Sequence, residues 1–281
     1  VTCADTSMGC TGAQTDPAVR QALNVAIDRS AISKKAFAGL SGESSPSFAL
    51  LPRDEKWLGD PALATSPQEP DAASAEGILE AAGYTKGSDG FYGKDGVAIE
   101  LDLFSPDGWT DYNDAAKLIS AQAAEAGIRV NARTVSEAEY WTPISTGEFQ
   151  LALYGITQSL VADPYSNYDQ YFTTVASAQV GEEPTKGQNY SRYTNPVVDE
   201  AVKTAGATQD EATKQQAYAA IQTEIARDLP YIPVVLNASQ SFFNTADFAG
   251  WPSEGDMYAA PLPYLSTASA VILTHLSPVT K

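Results

Sequence analysis

Val97-Ala98-Ile99-Glu100-Leu101-Asp102-Leu103-Phe104, the loop Ser105-Pro106-Asp107-Gly108-Trp109-Thr110, and Ile128-Arg129-Val130-Asn131-Ala132-Arg133-Thr134-Val135 frame the stretch that sets the fold. The first run alternates. Val97, Ile99, Leu101 and Leu103 fall on one face and Glu100 and Asp102 on the other, which is the period of a half-buried strand. The last run reads as a second strand, and a helix fills the space between the loop and about Ala126, closed by Gly127. Strand, helix and strand in that order imply a parallel pair with a right-handed crossover. The chain is therefore expected to be α/β, with a mixed sheet and helices on both faces.

Upstream of this unit, Ser88 to Gly96 carries two Asp-Gly pairs, which predict a small hairpin. The same aspartates lack the ligand spacing of a calcium loop. Residues 71–83 read as a short helix capped by Asp71. Residues 40–70 read as a long Ser/Pro/Gly-rich surface loop anchored by Phe48, Leu50, Leu51 and Trp57. Residues 17–39 read as one helix, with Asp16 as N-cap and Pro17 in its first turn. Downstream, the pattern predicts a helix over 136–146 and a strand over Phe149–Thr157. An aromatic stretch over 163–193 reads as mostly irregular. Helices are predicted behind Asn195 and from Asp210 to about Asp228, then a strand over Tyr231–Phe243 and a tail from 244 with little periodicity.

Hydrophobic residues make up 43% of the 281 and charged residues 19%, which allows a core and argues against disorder. A net charge of −18 opposes phosphate backbones and anionic lipid heads, so nucleic acid is discounted as a partner. No apolar run of about 18 residues is present to cross a membrane as a helix. The chain opens on Val1 without a basic n-region, so a processed or truncated product is expected. Cys3 and Cys10 flank a short polar segment. A disulfide there would close a small loop and fit an oxidising compartment, the alternative being two free thiols on a frayed end. Two cysteines and the distant His275 cannot supply the four ligands of a zinc site, and no metal or cofactor is expected.

Enzyme readings fare poorly. The sequence has no Gly-rich phosphate loop and no Gly-x-Ser-x-Gly elbow, and a single histidine near the C-terminus excludes most triad designs. A glycoside hydrolase needs two carboxylates in defined roles, and nothing singles out a pair among 35 acids. What stands out is aromatic content, 14 Tyr and 4 Trp in a chain low in charge. Sugar rings have apolar C–H faces that stack on aromatics, while their hydroxyls need polar partners. Most of these rings are expected in cores. Trp109 differs, because it sits in a Pro/Gly loop at the C-terminal end of a strand, the edge where open α/β sheets bind ligands.

Several segments then coincide with one family. Asp16-Pro17-Ala18-Val19-Arg20-Gln21-Ala22-Leu23, running on to Ala26-Ile27-Asp28-Arg29, resembles the "VRQAL…AIDR" helix of the peptide/oligosaccharide solute-binding proteins, family 5. The hairpin Asp89-Gly90 to Lys94-Asp95-Gly96 is similar to their "DG…kDG" element. Ala126-Gly127-Ile128-Arg129-Val130 resembles their "iGI.V" junction, Gly147-Glu148-Phe149-Gln150-Leu151 their "G.FDl" strand start, and Leu229-Pro230-Tyr231-Ile232-Pro233-Val234 their "lP.iPv" turn. The five fall in the expected order across residues 16 to 236. Gly108-Trp109-Thr110-Asp111-Tyr112 and Gly250-Trp251-Pro252 further resemble the cello-oligosaccharide-binding branch. Peptide-binding relatives often carry a "W.AD" acid that pairs with the peptide's amino terminus. Tyr154-Gly155-Ile156-Thr157-Gln158 has none there, and Asp163-Pro164 lies further on as the nearest substitute.

The resemblance implies a type II, cluster C-like periplasmic-binding-protein lobe with a mixed sheet flanked by helices. It also implies that this chain is the C-terminal half, missing an N-terminal lobe. The expected layout is an N-terminal segment (1–15), the second lobe (16–245) and a tail returning towards the first lobe (246–281). The implied function is that of a non-enzymatic substrate-binding component of an ABC importer. It would sit outside the cytoplasm, in the periplasm or as a cell-surface lipoprotein, and capture an oligosaccharide for a membrane permease. An oligopeptide is the alternative ligand, and a glycoside hydrolase lobe a remote one. Trp109, Asp111, Tyr154, Gln158, Tyr165 and Trp251 are the expected ligand contacts; Asp111 is equally suited to stabilising its helix dipole.

Overall fold

The computed structural model describes residues 1–157, 162–238, 241–253, 255–259, 261–262 and 266–279. The chain divides into a unit of Val1–Leu236 and a smaller one of Asn237–Lys281. In the larger unit Asp16 caps helix α1 (Pro17–Ala26) by accepting from the Ala18 N–H at 2.9 Å. The single helix expected over 17–39 is two. Ile27 turns extended, and Asp28 caps α2 (Arg29–Ala36) by accepting from the Ala31 N–H at 2.7 Å. The break turns Arg29 inward. It is 1% exposed and donates to the carbonyls of Asn24, Pro67 and Pro233 and to Asn24 Oδ1. Val19, Ala22, Leu23 and Ala26 bury one face of α1 in the same core as α3 (Ala72–Ala81), whose cap Asp71 accepts from the Ser74 N–H.

The hairpin is part of a small antiparallel sheet of β1 (Thr85–Lys86), β2 (Tyr92–Lys94) and β3 (Val97–Ala98). Asp95 and Gly96, at φ 53° and 78°, form the left-handed pair that a two-residue hairpin requires. The strand read over Val97–Phe104 therefore splits. Val97 pairs within the hairpin and is 71% exposed, while Ile99, Leu101 and Leu103 are buried. β4 (Glu100–Pro106) is central in a sheet of order β5–β4–β6. It runs parallel to β5 (Arg129–Val135), in register from Glu100↔Arg129 to Pro106↔Val135, with α4 (Thr110–Glu125) as the crossover.

α5 (Glu137–Thr146) starts with a capping box between Ser136 and Glu139. β6 (Leu151–Ala152) pairs parallel with β4 at Leu103↔Leu151 and Phe104↔Ala152, and Thr2 adds an antiparallel bridge to Leu151 on its free edge. β6 is shorter than the strand expected over 149–157 because the chain leaves the sheet where the Tyr154 ring turns into an aromatic cluster. The 163–193 stretch is not all irregular. It contains α6 (Tyr165–Phe172), whose Tyr168, Tyr171 and Phe172 are fully buried at helical spacing. α7 (Pro196–Gly206), capped by Asn195, packs on α8 (Glu211–Asp228), capped by Asp210. The strand read over Tyr231–Phe243 does not form among the described residues of that segment. Pro233 has no N–H to donate, its carbonyl accepts from Arg29 Nε at 2.8 Å, and one bridge, Gly42↔Leu236, holds the described part of the segment.

The smaller unit pairs β7 (Phe248–Ala249) antiparallel with β8 (Ser277–Pro278), and α9 (Ser266–His275) precedes β8, where the sequence showed little periodicity. Among the described residues no helix is long and apolar enough to cross a membrane, and no group of His, Cys, Asp and Glu is placed to hold a metal ion.

Candidate functional site

Three parallel strands end at one edge, and each is followed by an aromatic side chain. After β4 the backbone turns at Gly108, φ 82°, and Trp109 takes the N-cap position of α4 with 38% of its surface exposed. After β5 the first turn and a half of α5 brings Tyr140 and Trp141, the first 1% and the second 42% exposed. After β6 comes Tyr154. The rings form one row. Trp109 lies 5.1 Å from Tyr112 and 6.4 Å from Tyr140. Tyr140 is 5.0 Å from Trp141, Trp141 is 6.2 Å from Tyr154, and Tyr154 is 5.6 Å from Tyr190. Tyr140 is the buried keystone between the two exposed indoles. Its hydroxyl donates to the Leu153 carbonyl, one residue before Tyr154.

The titratable groups among these rings are phenols. Burial, reinforced by neighbouring tyrosines, pushes the Tyr154 and Tyr140 hydroxyls far above the ordinary phenol range, so both are fixed as uncharged donors. Tyr154 donates to Gln188 Oε1 at 3.2 Å, and Tyr171 accepts from the Thr157 N–H at 3.2 Å. A Cβ at Gly155 would sit 3.1 Å from the Tyr112 hydroxyl, so the chain after β6 approaches the start of α4 closely. Asp111 is half-buried in the first turn of α4 and accepts from the Tyr112 N–H at 2.9 Å. Such a surface can stack flat apolar faces on the indoles and offer hydrogen bonds beside them.

The structure brings Trp109, Asp111 and Tyr154 to this edge. It places Tyr165 elsewhere, on α6 against Gly206, in a cleft of about 270 Å³ shared with Asp163 and Lys214. Trp251 belongs to the smaller unit, stacked on Phe243 at 4.7 Å. Gln158 lies outside the described residues. Trp141 was missed by the sequence reading, although it follows the second strand as Trp109 follows the first. Asp163, the substitute acid, is already engaged. Lys214 pairs with it at 2.9 Å, and it accepts from the Tyr218 hydroxyl at 2.6 Å and the Tyr165 N–H at 2.9 Å. Burial works against its charge, but these hydrogen bonds prevail and hold the carboxyl below its usual range. Cys3 and Cys10 form a disulfide, Cα–Cα 5.5 Å, at the back of Tyr140.

Residues 10–179 match the sequence profile of the bacterial extracellular solute-binding proteins, family 5 Middle. Protein XP55 of Streptomyces lividans is 30% identical over 217 residues, covering 77% of this chain and 36% of that protein. The dipeptide-binding protein of Escherichia coli K12 is 27% identical over 219 residues, covering 76% and 36%. The chain thus spans a little over a third of these curated relatives. Among solved structures, the mannohexaose-bound periplasmic oligopeptide-binding protein of Thermotoga maritima superposes with a TM-score of 0.83 at 23% identity, covering 96% of this chain and 51% of that one. That likeness establishes a shared periplasmic-binding-protein fold.

Proposed function

The chain belongs to family 5 of the bacterial extracellular solute-binding proteins, and on that premise we propose that its aromatic edge is one wall of a ligand cleft that captures a short oligomer for an ABC importer. The observation that carries this reading is the row Trp109–Tyr140–Trp141–Tyr154, with two partly open indoles where β4, β5 and β6 end. The larger unit would be the second lobe, with the opposite wall on a lobe outside this chain. Closing the two walls on the ligand would present it to the permease. On this reading the protein works outside the cytoplasm, in a binding role.

For the ligand class, the relatives speak more directly for a peptide than for the sugar the sequence reading put first, since one of them is a dipeptide-binding protein. A specific observation keeps the oligosaccharide as the second reading. Asp163, the first acid after β6 in sequence, is tied to Lys214 and Tyr218, so it offers no free carboxylate to a peptide ammonium. The likeness to a structure holding mannohexaose is in keeping with it. Calorimetry on the full-length protein carrying this chain, titrated with trialanine and with cellotriose, separates the two. Saturable heat with trialanine alone supports the peptide, and with cellotriose alone the sugar. Heat with neither of these, nor with longer members of either series, would sink the capture reading.

A further inference from the structure

We propose that the Cys3–Cys10 disulfide positions the aromatic wall, acting through Tyr140. Both cysteines are buried, 1% and 3% exposed, and share an apolar cluster with Tyr140, Ile144, Phe149 and Ala152. Tyr140 is the member of that cluster whose ring also meets both exposed indoles, Trp109 at 6.4 Å and Trp141 at 5.0 Å. Tyr140 therefore joins the cluster that holds the crosslink to the layer of rings at the exposed face of the wall. In a close-packed interior a shift at the back of such a layer is passed to its front, because no void absorbs it.

The crosslink also closes a loop that stitches separate stretches together. Cys3 N–H donates to the Gln150 carbonyl at 3.1 Å, beside the start of β6, and Ala4 N–H to the Ser191 carbonyl at 2.8 Å. Val180 N–H donates to the Met8 carbonyl at 2.8 Å, and Gly181 N–H to the Thr146 carbonyl at 2.7 Å, where α5 ends. The Thr194 hydroxyl donates to Asp5. The bracket thus grips α5, which carries Tyr140 and Trp141, from its C-terminal end. It also grips β6, which leads to Tyr154. Without the crosslink residues 4–9 are held by these hydrogen bonds alone, and the back of the wall is less firmly fixed.

Fluorine spectra of the full-length protein, labelled with 5-fluorotryptophan and assigned by single Trp→Phe variants, test this. Cys3→Ala/Cys10→Ala should shift or broaden the Trp109 and Trp141 resonances and leave that of Trp57, which packs in another cluster, in place. Val180→Ala keeps the crosslink but loosens the bracket, and should move the same two resonances less. It decides the matter if the double variant does not fold. Leu79→Ala, in the core beneath α1 and α3, lowers stability and should leave both wall resonances unmoved. Unchanged wall resonances in the bracket variants, or equal shifts in Leu79→Ala, would overturn the proposal. The ligand arm rests on the capture reading: whichever of trialanine or cellotriose binds should bind about tenfold more weakly to the double variant. If neither of these, nor longer members of either series, binds the native protein the capture reading fails, while the fluorine spectra still judge the positioning role.

Discussion

Truncating the two open indoles is the perturbation expected to weaken ligand binding most. Trp109 keeps 38% of its surface accessible and Trp141 42%. With roughly 250 Å² on a tryptophan, the pair leaves about 200 Å² for a ligand to cover. A ligand stacked on one face of each ring covers about half of that, worth about 2.5 kcal/mol at 25 cal/mol per Å². Trp109→Ala and Trp141→Ala should then each weaken binding about eightfold, and the double variant about seventyfold. The assay is calorimetry on the full-length protein with whichever of trialanine or cellotriose the native protein binds, after circular dichroism confirms that each variant is folded. Val175→Ala, at a side chain 61% exposed and outside the wall, serves as control and should bind as the native protein does. If both tryptophan variants also bind within about twofold of native, stacking on this row contributes nothing and the reasoning fails.

Three further outcomes concern the scaffold. Leu101 is fully buried in the central strand, so Leu101→Ala should lose about 3 kcal/mol in urea unfolding; a loss under about 1 kcal/mol would show that β4 is not the centre of the core. Arg29→Met strands the carbonyls of Asn24, Pro67 and Pro233 without their buried donor and should lose about 2–4 kcal/mol, whereas an unchanged midpoint would remove Arg29 as the tie between α2 and the 67 and 233 segments. Burial pushes the Asp228 carboxyl up, but hydrogen bonds from Arg227, Tyr193 and Asn195 and the Arg227 charge outweigh it, so its folded pKa lies below the unfolded one. Its stabilisation is complete above the unfolded value, about 3.9, and is lost as pH falls through the folded value. Urea midpoints should therefore drop below about pH 4 in the native protein and less steeply in Asp228→Asn; identical slopes would discount this network.

How much of this was legible depended on whether local signals or distant contacts decided each element. Three aspartates and one asparagine at N-caps mark α1, α3, α7 and α8, because a cap acts within four residues of itself. The parallel β4–α4–β5 unit was legible for a similar reason: alternation and a closing Gly127 are local. The break at Ile27 was not, since it serves Arg29, whose acceptors at 67 and 233 are remote in sequence. α6 was hidden because four aromatic side chains in 165–172 read as irregular, although Tyr168, Tyr171 and Phe172 lie on one buried face. At the site, Trp109 was marked by its Pro/Gly loop. Trp141 sits inside a helix with no such punctuation, and only the sheet order places the start of that helix beside Trp109. Being next to β6 in sequence does not fix the direction of Tyr165, and α6 sets its ring against Gly206.

A crystal structure of the full-length protein with its ligand bound tests the central claim most directly. The account predicts ligand atoms within about 4 Å of Trp109, Trp141 and Tyr154, where the three parallel strands end. A ligand seated elsewhere, with both indoles still open to solvent, would contradict it.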